Sequence, residues 1–151
     1  MRSAQFVLRF SLVAVVAGSL AIAELPASAA KKAPTVTIVK IDGLGKVLAD
    51  ANGKTLYTLT ANGAPVACTG GCLAAWPPLI ASGKPKGAKG VKNLGVDSAT
   101  RQVTVDKLPV YMFVRDTASG QANGQGINSF GGVWNVVKVA ATSSNKTKSS
   151  N

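Results

Sequence analysis

The chain has 151 residues, with 17 Lys and Arg against 6 Asp and Glu, two Cys and no His. Without His, Ser–His and Cys–His nucleophile pairs are excluded, as are zinc sites built on imidazole. The formal charge of +11 is an argument about partners, favouring anionic surfaces and polymers, and says nothing about fold.

Residues 1–29 read as an export signal. Arg2 and Arg9 supply the positive charge, residues 10–23 are apolar apart from small Ser and Gly, and two A-x-A sites end at Ala23 and Ala29. Pro26 breaks any helix just upstream of Ala29, which favours cleavage there. The apolar run is shorter than the ~20 residues a membrane helix needs. No Cys stands near either site to accept a lipid. The expected mature chain is therefore soluble, exported to periplasm or medium, and without a transmembrane segment. It keeps 15 Lys and Arg against 5 Asp, because Arg2, Arg9 and Glu24 leave with the leader. Roughly 120 residues suffice for one domain with its own core.

Taken in order, residues 30–45 form an N-terminal segment whose β-branched run (33–41) predicts a strand. Asp42-Gly43 and Leu44-Gly45 turn the chain, residues 46–49 form a second short strand, and Asn52-Gly53 is a hairpin signal. Residues 54–60 alternate as a strand that Asn62-Gly63 closes. Residues 65–79 carry Cys68 and Cys72 and at most one helical turn near residues 72–76, stopped by Pro77. Residues 81–92 are rich in Gly, Pro and Lys and read as an exposed loop.

The second half repeats the theme. Residues 101–105 alternate as a strand, 109–115 are the most β-prone run of the chain, 116–126 are loop, and 132–139 are the last strand. Residues 141–151 read as a disordered polar tail. No segment keeps a helical apolar period over three turns. The expected fold is mainly β: one small domain (46–140) of two degenerate β repeats, about 46–80 and 101–138. Tyr57 aligns with Tyr111, Leu59 with Phe113, Asn62 with Asp116 and Trp76 with Trp134. Residues two apart on a strand share a face, so Tyr57 with Leu59 and Tyr111 with Phe113 can pack into one core; Tyr111, Phe113 and Trp134 are expected to be buried together, with Tyr57 and Trp76 forming the matching cluster of the first copy. Asn62 and Asp116 can each close an Asx turn at a strand end, an account that needs no active site.

Chemistry is sparsely represented. The five Asp of the mature chain sit beside residues typical of turns, and no residue is assigned a catalytic role. Cys68-Thr69-Gly70-Gly71-Cys72, in an exported chain, most simply closes as a disulfide. The alternative is a redox or copper site on the same pair, with Met112 as a further soft ligand. Lys84, Lys86, Lys89 and Lys92 form a basic run suited to an anionic envelope surface or polymer. Aromatics are not interleaved with these lysines as stacking platforms, so nucleic acid is not an expected partner.

Tyr111-x-Phe113-x-x-Asp116 resembles the signature of the secreted-repeat family of predicted bacterial lipoproteins, which carry a Tyr-x-(aromatic)-x-x-Asp motif. The resemblance extends over residues 46–138, through Leu56-Tyr57, Cys68-x-x-x-Cys72, Trp76-Pro77-Pro78-Leu79, Asn123-Gly124-Gln125-Gly126 and Gly132-Val133-Trp134. The first copy departs from it at Leu59 and Asn62, and the leader has no lipobox. The resemblance implies export and a repeated β unit, with no activity attached. The reading is an exported, non-catalytic structural or binding module without a cofactor; the alternative is an envelope redox or copper-handling protein.

Overall fold

Strand β1 (Val36–Ile41) pairs antiparallel with β2 (Gly45–Asp50), in a register running from Val36 opposite Asp50 to Ile41 opposite Gly45. Its β-branched residues suit a pleated, half-buried surface. The computed structural model describes residues 35–139. The leader (1–29) and the polar tail (141–151) of the sequence reading lie outside the described residues.

After the Asn52-Gly53 turn, β3 (Tyr57–Ala61) reverses into β4 (Ala64–Pro65). Asn62 and Gly63 have φ of 51° and 80°. That is the two-residue turn with left-handed backbone which Asn-Gly favours. Helix α1 (Gly71–Ala75) is a single turn. Strands β5 (Leu94–Val96), β6 (Val103–Val105) and β7 (Leu108–Pro109) form a three-stranded antiparallel sheet. Strands β8 (Asn128–Ser129) and β9 (Gly132–Val136) join β3 and β4 in a four-stranded sheet of order β4-β3-β9-β8. The fold is mainly β, as the alternating runs predict.

Isolated bridges connect the sheets, and the hydrogen bonds around them come in equivalent pairs. Tyr57 and Tyr111 exchange both backbone bonds, at 2.8 and 2.9 Å, and mark the centre of an approximate two-fold relation. Leu48 N–H donates to Val137 O at 2.8 Å, and Val103 N–H donates to Leu79 O at 2.8 Å. Val137 N–H donates to Leu56 O at 2.9 Å, and Leu79 N–H donates to Val110 O at 3.2 Å. Val139 N–H reaches Lys46 O at 3.1 Å, and Ala81 N–H reaches Arg101 O at 3.0 Å. The closing segment that follows each Trp therefore pairs with the hairpin of the other copy. The same relation matches β1 on β2 with β5 on β6: Ile38 faces Leu48 as Val96 faces Val103.

Residues 109–115 differ from the sequence expectation. The predicted strand is present only as β7 and an isolated position at Tyr111. Met112 N–H donates to Pro77 O at 2.9 Å and Val114 N–H to Ala75 O at 3.1 Å. Pro77 has no N–H to return, so the ladder is one-sided. At the equivalent place in the first copy, Thr58 faces Asn135 in a regular β3–β9 ladder. β5, which composition alone does not single out, is three residues long.

Two apolar clusters result, and both draw on both copies. One gathers Tyr57, Leu59, Trp76, Tyr111, Phe113 and Trp134 with both Cys. The other gathers Val36, Leu48 and Leu56 with Val103, Val105 and Val110. Neither copy has a core of its own.

Val137→Pro tests the exchange. It deletes the N–H that Leu56 O accepts, and an unpaired buried carbonyl costs ~1–3 kcal/mol before any misfit of the ring. In urea, one cooperative transition should move to lower denaturant, with signals from both copies moving together. An unchanged midpoint, or loss confined to one half, would refute the exchange.

Candidate functional site

Trp76 enters the core from α1. Gly70 has φ of 55° ahead of the helix, and Trp76 N–H donates to Cys72 O at 2.9 Å at its end. Pro77 then prevents continuation. The Cα atoms of Cys68 and Cys72 are 5.4 Å apart and their sulfurs stand at disulfide distance. Both Cys are buried in the ring cluster, so the small loop they close holds Trp76 at a fixed entry point.

The rings make one cluster, where the sequence reading separates them into two. Trp76 and Trp134 stack with centroids 3.8 Å apart and planes 2° from parallel. Phe113 also stacks on Trp76, at 4.2 Å. Tyr57 meets Trp76 edge-on at 5.3 Å and 77°, and Tyr111 meets Trp134 edge-on at 5.3 Å and 90°. The two-fold relation thus extends from backbone to rings. Stacked and edge-to-face arrangements are the favourable ones for aromatic quadrupoles. The Trp134 indole N–H is buried without a partner among the described residues.

Residues 116–126 fold over this stack and attach to the first copy. Asp116 is fully buried. The Tyr57 hydroxyl donates to its Oδ2 at 2.5 Å, and Asn123 N–H donates to its Oδ1 at 2.9 Å. Gly124 N–H donates to the Tyr57 hydroxyl at 3.3 Å. Lys54 Nζ donates to Asp116 O at 2.6 Å, and the Thr55 hydroxyl donates to Gln121 O at 2.6 Å. Gly124 lies so close to the rings that a Cβ there would stand 2.6 Å from Trp76. Only glycine allows that approach. Burial, and secondarily the Asp116 carboxyl group, push the Tyr57 hydroxyl far above the ordinary tyrosine range.

Asp116 therefore pairs with the Tyr of the other copy, a partner that spacing within one motif does not reveal. Lys54, Thr55 and Gly124 belong to the same constellation; Gly124 falls in the Asn123-Gly124-Gln125-Gly126 stretch of the resemblance, whereas nothing in the sequence marks Lys54 or Thr55. Asn62, the counterpart of Asp116, sits exposed in the β3–β4 turn. The other four Asp of the described residues serve turns or lie exposed. Asp50 Oδ1 accepts from Asn52 N–H and Lys54 N–H, each at 2.8 Å. Asp97 is held below the usual carboxylate range by hydrogen bonds from Thr100 and Ala99.

Lys84, Lys86, Lys89 and Lys92 are all exposed. Their loop is tied to β1: Val36 N–H donates to Lys86 O at 3.0 Å and Ala88 N–H to Val36 O at 2.8 Å. Two shallow clefts flank β5. One, of about 410 Å³, is lined by Leu94, Gly95, Thr104 and Asp106; the other, of about 390 Å³, by Lys84, Pro85, Val96 and Arg101. Neither cleft contains any of the rings, the Cys pair or Asp116. Among the described residues no three His, Cys, Asp or Glu side chains are grouped to hold a metal ion, and no helix is long and apolar enough to cross a membrane.

Residues 97–138 match the model of a family described as a secreted repeat of unknown function. The match spans the second copy from its Asp97 turn to its closing segment, and so includes Tyr111, Phe113, Asp116 and Trp134. The chain has no significant match among curated proteins and none among solved structures.

Two outcomes follow from this geometry. The native state holds the Tyr57 proton more tightly than the unfolded chain does, so this contribution is complete below about pH 10, the unfolded value. It is lost as pH rises above that, at ~1.4 kcal/mol per pH unit. Denaturant titrations should show wild-type stability falling on this limb and Tyr57→Phe, less stable at pH 7, lacking that part of the slope; parallel curves would contradict it. Replacing both Cys68 and Cys72 with Ser should cost about 2 kcal/mol and lower the melting temperature while the β circular dichroism signal persists. An unchanged melting temperature would remove the anchoring role.

Proposed function

We propose that this carrier of a secreted repeat is an exported, non-catalytic structural or binding module that meets an anionic envelope surface or polymer through its basic loop. The groups with chemical potential are committed to holding the two copies together. Tyr57 and Asp116 are sealed beneath residues 116–126, and a buried hydroxyl bonded to a buried carboxyl has no substrate within reach. Cys68 and Cys72 hold each other. No observation favours the redox or copper alternative.

The observation that carries the proposal is the exposure of Lys84, Lys86, Lys89 and Lys92 on a segment whose backbone is fastened to β1. Such lysines present charge from a fixed platform while their side chains remain free to adapt to an irregular polymer. Residues 35–139 contain eleven Lys and Arg against five Asp. Two of those Asp, Asp50 and Asp116, are buried, so the surface is more basic than the count alone conveys. Charge of one sign over a surface raises the local concentration of oppositely charged partners and is strongly screened by salt.

Immobilised polyglutamate serves as the acidic probe. Retention of the exported protein should fall steeply between low and physiological salt. It should be lost when the four lysines are replaced together by Glu, with the melting temperature little changed because all four side chains are exposed. Retention indifferent to both salt and charge reversal would overturn the proposal.

A further inference from the structure

The basic loop meets the turn between β5 and β6 at the cleft of about 390 Å³. Lys84 and Pro85 line it from the loop, Leu94 and Val96 from β5, and Ser98 and Arg101 from the turn. Most of the lining surface is apolar, and two cations and one hydroxyl are its polar side chains. A concave site of this size, largely apolar with a few placed polar groups, has the form of a small-ligand site.

Arg101 stands out within this lining. Its φ of 64° lies in the left-handed region, which Gly or Asn would adopt at less cost. Strained positions that persist are concentrated at functional sites. The backbone of Arg101 is held on both sides: its N–H donates to Asp97 O at 2.9 Å, and its C=O accepts from Ala81 N–H at 3.0 Å. The guanidinium Nη2 reaches Ala81 O at 3.4 Å, toward the segment that leads to Lys84. Asp97 is turned into its own turn, where its Oδ1 accepts from Ala99 N–H, Thr100 N–H and the Thr100 hydroxyl. We propose that this cleft takes one uronate unit of an acidic polysaccharide. The carboxylate lies between Lys84 and Arg101, and a CH face of the sugar ring lies against Pro85, Leu94 and Val96. The Ser98 hydroxyl bonds to the hydroxyl groups of the ring. Arg meets a carboxylate with parallel donors and Lys meets it as a point charge, so the pair fixes both charge and orientation. An acidic peptide carries the same charge but offers no ring face to the apolar wall. This site deepens the proposed contact between the basic loop and an anionic polymer, and rests on it.

Titration of the full mature protein with short oligogalacturonate, followed by NMR, tests this directly. The amides of Val96, Ser98 and Arg101 should shift together, and the methyl-esterified oligomer should leave them in place. Arg101→Gly should weaken binding about tenfold, the loss expected for one charge-assisted hydrogen bond. Its melting temperature should not fall, because Gly adopts the left-handed conformation freely. Lys86→Gln and Lys89→Gln, outside the cleft, should change the affinity little. Wild-type affinity in Arg101→Gly overturns the proposal. So does equal affinity for a glutamate oligomer of the same charge, which would assign the cleft to acidic peptide. Retention on polyglutamate separates the two readings: salt-sensitive retention without oligogalacturonate binding overturns the cleft assignment alone, and loss of both overturns the anionic-polymer reading with it.

Discussion

The structure depends on a reciprocal exchange. Each copy of the repeat supplies a hairpin and a closing segment, and each closing segment lies in the other copy's sheet, Leu79 against Val110 and Val103, Val137 against Leu56 and Leu48. A short two-stranded unit is marginal on its own in water. Exchange removes the difficulty, because neither hairpin can complete its hydrogen bonding without the other. The paired bonds between Tyr57 and Tyr111 place the two hairpins back to back, and the Trp stack follows from the same geometry.

The exchange also accounts for the asymmetry of the motif. The two copies share one aromatic stack, so one buried carboxyl group, Asp116, satisfies the Tyr57 hydroxyl and anchors Asn123. The first copy turns directly through Asn62-Gly63 into β4 and has no long loop at this point needing such an anchor. Phe113 stacks on Trp76, whereas Leu59 packs opposite Trp134 across the β3–β9 ladder. The departures of the first copy from the motif thus fall where Leu59 fills its place in the shared cluster without an aromatic ring and where the short Asn62-Gly63 turn leaves no long loop to anchor.

Much of the local structure was legible in the sequence. Asn-Gly turns, β-branched runs and the Pro77 stop act through their own backbone preferences, and those do not depend on distant partners. What was not legible is the pairing. Alternation shows that a strand exists and which side is apolar, but not whose edge it meets, so the rings were separated into two clusters where the structure makes one. Residues 109–115 were over-read for the same reason: their β propensity is real, but the facing Pro77 cannot donate. The Tyr57–Asp116 bond joins the two copies, and neither residue's own surroundings in the sequence point to the other. Residues 97–138, which hold the Tyr111-x-Phe113-x-x-Asp116 motif, match a family described as a secreted repeat, the kind of family that the motif resembles.

Native-state hydrogen exchange across increasing denaturant measures the exchange of closing segments most directly. If each segment completes the opposite copy, the amides of Leu48, Leu79, Val103 and Val137 must open together. They should converge on one opening free energy equal to that of global unfolding. Two distinct plateaus, with one copy opening while the other stays protected, would contradict the account.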